Sequence, residues 1–86
     1  MASAIRLSPT QLPELYNRLP PICKKLGIEE PEFYLQMDPQ PNAWTFGDTK
    51  IFITITSGLV DMMTDEELDA VIAHECGHVL CRHVLY

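Results

Sequence analysis

The 86-residue chain has no long hydrophobic run. A membrane-spanning helix needs about 18 consecutive apolar residues, so no membrane segment is expected in this chain. The opening Met1-Ala2-Ser3-Ala4-Ile5-Arg6 lacks the apolar core of a secretory signal. Basic residues are scarce: six Lys and Arg stand against twelve Asp and Glu, for a net charge of −6. That balance argues against nucleic acid and against anionic membrane surfaces as partners. Cysteine is sparse too, with an odd count of three and no C-x-x-C. Cys76 and Cys81 lie five apart on one expected helix and point in different directions, and Cys23 is distant in sequence. All three read as reduced thiols, which places the chain in the cytoplasm or another reducing compartment. Internal repeats and low-complexity tracts are absent as well. What remains is one domain at most, with 47% apolar and 21% charged residues, ordinary for a globular chain. So short a chain buries only about 60% of its unfolded surface, and a bound metal would help stabilise its small core.

The stretch that stands out is His74-Glu75-Cys76-Gly77-His78, an H-E-x-x-H run. It lies in a segment that reads as one helix from Asp65 to about Leu85. Thr64-Asp65-Glu66-Glu67 fits the S/T-x-x-E capping box, with Thr64 as N-cap and Glu67 at the third helical position. Leu68, Val71, Ile72 and Val79 follow at helical spacing. Residues four apart share a helix face, so His74 and His78 can present two imidazoles to one metal ion. Two neutral imidazoles suit zinc, and the neighbouring Glu75 suits a general base acting on a metal-activated water. Ala70, Ala73, Leu80, Val84 and Leu85 make the helix apolar almost all round, which predicts that it is buried. The acidic first turns, Asp65 to Asp69, read as a solvated face that favours the helix dipole rather than as a cation site.

Upstream, residues 1–8 are expected to carry little structure. Leu12, Leu15, Tyr16 and Leu19 form a helical stripe. Pro13 sets its start, Pro20-Pro21 kink or restart it, and Gly27 stops it. Residues 12–26 are thus one kinked helix or two short ones. Strands are expected at 32–37, 43–46 and 51–56, the last nearly all β-branched or aromatic. Its Ile51, Ile53 and Ile55 predict a face toward the core. Residues 59–63 give one or two helical turns. The fold class is therefore α+β: an N-terminal helix, a small three-stranded sheet, a short helix and a long helix carrying the motif.

The run Asn42-Ala43-Trp44-Thr45-Phe46-Gly47, the strand Ile51–Thr56, Ser57-Gly58-Leu59-Val60 and the segment Glu67 to His78 together resemble the HtpX/CAAX-prenyl-endopeptidase family of zinc metallopeptidases. These are gluzincins, whose smallest members have been called minigluzincins. The likeness spans about Leu19 to Tyr86, and His83 matches a histidine often found after the motif. The resemblance implies a partial zincin-like domain over residues 1–86, a single zinc ion held by His74 and His78, and Glu75 as general base and proton shuttle. It implies a peptide or protein substrate, bound in extended form along an edge strand near Asn42-Ala43. Cys76 stands where the family more often has Leu or Met. In the family the third zinc ligand is a glutamate on a later helix. This chain ends eight residues after His78 without a helix stop signal, so it reads as an N-terminal fragment that lacks that ligand, and whether it is active by itself is left open.

Local substitutes for the third ligand fit poorly. His83 is about 140° around the helix from His78, and Cys81 is about 10.5 Å along the axis from His74. Both read as non-ligands. The function implied is zinc-dependent endopeptidase activity. The alternative is a non-catalytic metal-binding or interaction module in which His74, Cys76, His78, Cys81 and His83 build a structural zinc site. Glu75 discriminates, because a structural site has no use for a carboxylate between its ligands. Oligomerisation, and membrane association of a longer protein, are left open by these residues.

Overall fold

The structure is a computed structural model that describes residues 3–85, with side chains as far as Cys81. The element order is β1 (Ala4–Arg6), α1 (Pro13–Tyr16), α2 (Leu19–Leu26), β2 (Glu32–Gln36), β3 (Ala43–Gly47), β4 (Ile51–Thr56), α3 (Ser57–Met62) and α4 (Asp65–Leu85). The α+β class holds, but the sheet has four strands rather than three, in the order β1-β2-β4-β3. The extra strand is β1, in the leader expected to have little structure. Three residues of unremarkable propensity form it because β2 offers an edge: Ala4, Ile5 and Arg6 pair antiparallel with Gln36, Leu35 and Tyr34. Leu7 then turns into the core with 2% of its surface exposed.

The proline-rich segment resolves into two helices. Pro13 opens α1, and α2 restarts at Leu19 with Pro20 in its first turn, where a missing N–H costs nothing. Gly27 ends α2 in the left-handed region, φ 73°, which a side chain would resist. β4 is inserted between β2 and β3, parallel to the first and antiparallel to the second. The loop from β2 to β3 is therefore anchored from the far end of β4. Buried Thr56 donates its hydroxyl to Gln40 O at 2.8 Å and accepts from Asn42 N at 2.9 Å. Ser57 Oγ accepts from Asp38 N at 3.0 Å.

Ile53 and Ile55 are fully buried on the side of β4 that carries the core, as their alternation predicts. Leu19 and Cys23 from α2, Phe33 and Leu35 from β2, and Leu68, Ile72 and Cys76 from α4 complete that core. Burying side chains of this size contributes about 1.5–3 kcal/mol each. On the other side of the sheet Phe46 stacks on Phe52 at 4.9 Å, with Tyr34 6.1 Å from Phe52. No helix among the described residues is long and apolar enough to cross a membrane.

α4 is not buried all round. Leu68, Ile72, Cys76 and Val79 are buried, while Ala70, His74 and His78 are exposed. The helix lies across one sheet face, so only the stripe facing the sheet and α2 is covered. Composition alone suggested a fully buried rod, but alanine tolerates either environment.

Candidate metal centre

The start of α4 is fixed by the reciprocal cap its sequence predicts. Thr64 N donates to Glu67 Oε1 at 2.9 Å, and Glu67 N donates to Thr64 Oγ1 at 3.2 Å. Hydrogen bonding to Thr64, first from its backbone N–H, holds the Glu67 carboxyl below its ordinary value. The acidic turn is more than a solvated face. Arg18, in the α1–α2 connection, pairs with Asp65 at 2.9 Å and Asp69 at 2.8 Å, and so ties the helix start to the rest of the chain.

From this start the helical phase distributes the motif over three directions. His74 and His78, about 40° apart around the axis, both fall on the open side. Their Nε2 atoms lie 3.2 Å apart, with ring centroids at 4.7 Å and planes inclined by 65°. Two nitrogen ligands of one tetrahedral zinc, each about 2.05 Å from the metal, would be about 3.3 Å apart. The imidazoles thus have the separation a shared ion requires. Both rings lie on the exposed side of α4, where the helix's composition predicts burial. The residues present fit two positions of a zinc site.

Cys76 points the opposite way, into the core, where it is fully buried against Cys23 of α2. Its thiol is pushed up in pKa, first by the hydrogen bond with Cys23, then by burial and by the charges of Cys23 and Glu75. Sequence distance hid this contact. Cys81 is exposed, and the side chain of His83 falls outside the described residues. Among the described residues no three His, Cys, Asp or Glu side chains gather to hold a metal ion. The five-residue structural zinc cluster therefore loses Cys76 to the core, and among the described residues no third ligand joins His74 and His78.

Glu75 occupies the direction between the open and covered sides, about 60° from His78 around the axis. It is 7% exposed and abuts β3. Thr45 of β3 donates its hydroxyl to Glu75 Oε1 at 2.6 Å, inside the range of hydrogen bonds to a charged carboxylate. Thr45 was not singled out from the sequence. The signal available was the alternation of β3: Trp44 and Phe46 on one face put Thr45 on the other, beside Ile53 in the register. Residues Asn42 and Ala43, by contrast, lie at the start of the same edge strand, and Asn42 is engaged with Thr56.

Comparison with known sequences adds a family. The chain matches peptidase family M48 over residues 9–86. It is 36% identical over 85 residues to the plastoglobule-localized metallopeptidase 48, chloroplastic, of Arabidopsis thaliana, covering 96% of this chain and 25% of that protein. A protease HtpX homologue of Tropheryma whipplei (strain Twist) is 40% identical over 81 residues, with 92% of this chain and 28% of that protein covered. Another, from Caldanaerobacter subterraneus subsp. tengcongensis, is 38% identical over 84 residues, or 95% and 28% of the two chains. The chain spans between a quarter and a third of the length of these relatives.

Proposed function

The chain belongs to peptidase family M48, and from that premise we propose that it carries part of the catalytic site of a zinc-dependent endopeptidase. His74 and His78 are the metal ligands in this reading, and Glu75 is the general base. Family membership implies the zinc cofactor. The observation that carries the assignment to these residues is the 3.2 Å convergence of two exposed imidazole nitrogens beside a nearly buried carboxylate.

When bound, zinc supplies Lewis acidity, acidifying water and polarising a scissile carbonyl. The chain's own residues do the rest. His74 and His78, as neutral imidazoles, hold and orient the ion through Nε2. Glu75 accepts the proton of the attacking water and returns it to the departing amine, which keeps the proton inside the site throughout. β3 ends the strand order of the described residues, with β4 as its neighbouring strand. An extended peptide can add along the outer side of its 43–46 stretch by main-chain hydrogen bonds and bring its carbonyl toward the α4 face. A catalytic zinc site takes three protein ligands and one open position. The third is expected from a glutamate on a later helix of the full-length protein, so residues 1–86 are read as one partial metallopeptidase domain.

The test uses the zinc-loaded full-length protein and a peptide substrate. Glu75→Gln should lower turnover by at least about a thousandfold while zinc content stays at the wild-type level. His78→Ala should lose zinc on chelator washing. Peptide hydrolysis that survives Glu75→Gln would remove the general-base assignment. Unchanged zinc retention in His78→Ala would remove the ligand assignment.

A further inference from the structure

We propose that Thr45 is a positioning residue for the Glu75 carboxylate, anchoring one oxygen and so holding the plane in which the other exchanges protons. The inference rests on the assignment of Glu75 as general base. A carboxylate on a helix can rotate about its terminal torsion, and that torsion is broad for a glutamate. Proton transfer needs one oxygen held within hydrogen-bond reach of a water. Left to itself, the Glu75 carboxylate would sample a range of tilts about that torsion, and only part of the population would aim an oxygen at the water.

Thr45 removes that freedom from a different element. Its hydroxyl has one proton to give and two candidate acceptors on Glu75. Oε1 lies at 2.6 Å and the backbone carbonyl at 3.4 Å. Only the shorter contact is a strong hydrogen bond, so Oε1 is anchored, the plane of the carboxylate is set, and Oε2 is the oxygen outside this bond, to which the proposal assigns the proton transfer. Thr45 is itself well placed to be rigid. Its backbone sits in register with Ile53, which is fully buried in the central strand. β-branching restricts its χ1. The link runs from an interior strand, through an edge strand, to a side chain of α4, and it couples the sheet that would receive substrate to the group that would act on it. Valine has the same shape without the hydroxyl, and serine has the hydroxyl without the methyl, so the two substitutions separate hydrogen bonding from packing.

The experiment compares wild type, Thr45→Val, Thr45→Ser and Glu75→Gln as zinc-loaded full-length proteins. The expected result is a fall in kcat of about 10- to 100-fold for Thr45→Val, with KM and zinc content at wild-type levels and activity restored in Thr45→Ser. A misfolded Thr45→Val would be recognised by its thermal midpoint. A crystal structure of the wild-type zinc form tests the same point without any substitution: Thr45 Oγ1 should remain hydrogen-bonded to Glu75. Wild-type turnover in Thr45→Val, no recovery in Thr45→Ser, or separation of the two side chains in the zinc form would each overturn the proposal. Inactive Glu75→Gln beside fully active Thr45→Val would sink Thr45 alone. Active Glu75→Gln would sink the general-base assignment and the positioning role with it.

Discussion

Glycine to alanine has opposite expected signs at two positions on neighbouring helices. At Gly58, in the first turn of α3, an added Cβ would sit 2.1 Å from Pro39 O and 2.5 Å from Pro39 C. Both are backbone atoms, held where Gly58 N donates to Asp38 O at 2.9 Å. Gly58→Ala must push that loop away and should cost about 1–3 kcal/mol. At Gly77, inside the motif, a Cβ would meet nothing within 4 Å. There the dominant effect is helix propensity, and Gly77→Ala should stabilise the 86-residue chain by about 0.5–1 kcal/mol. Urea unfolding of the two variants against wild type checks both signs. A stabilised Gly58→Ala would mean that the loop yields easily. At this scale the sequence was informative where chemistry and spacing coincide on one element. His74, Glu75 and His78 could be placed because helical phase is local. Thr45 could not, since its partner lies thirty residues away and the choice of face depends on where β4 inserts.

The long helix owes its start to two side chains and one arginine. Each half of the Thr64–Glu67 box satisfies a backbone donor that would otherwise lack a partner. Thr64→Ala should cost about 1 kcal/mol, read as a shift in the denaturation midpoint. Thr64→Ser, which keeps the oxygen, should recover most of it. Loss of nothing in Thr64→Ala would mean that packing of Leu68 and Ile72 alone sets the helix start. The elements that could be read from the sequence have this kind of local signature: the box of α4, Gly27 closing α2, and the β-branched run of β4. β1 has none. Ala4, Ile5 and Arg6 become a strand only because Gln36, Leu35 and Tyr34 present an unpaired edge, and an edge is a property of the assembled sheet. The full burial expected of α4 failed for a related reason. Apolar composition sets which faces can be covered, while the number of elements packed around a helix sets which are.

At the scale of the whole molecule, the sheet joins segments from both halves of the sequence, and one carboxylate sits where they meet. Glu32, at the start of β2, faces Arg6 of β1 at 3.6 Å and Lys50, just before β4, at 3.0 Å. The Tyr34 hydroxyl donates to it at 2.7 Å. The Tyr34 hydrogen bond first, then the hydrogen bond from Lys50, hold its pKa below the ordinary glutamate value of about 4.3. A depressed folded-state pKa means that the unfolded chain takes up the proton first as pH falls. The contribution of Glu32 is therefore fully present above the unfolded value and is lost as pH drops through the lower folded one. Glu67, lowered by its cap, acts in the same direction. The urea midpoint should be flat near neutrality and fall on the acid side of about pH 4. Glu32→Gln cannot ionise, so it should lie below wild type at neutral pH and converge on it in acid. Parallel curves at every pH would mean that the ion pairs of Glu32 are too well solvated to link the three strands energetically.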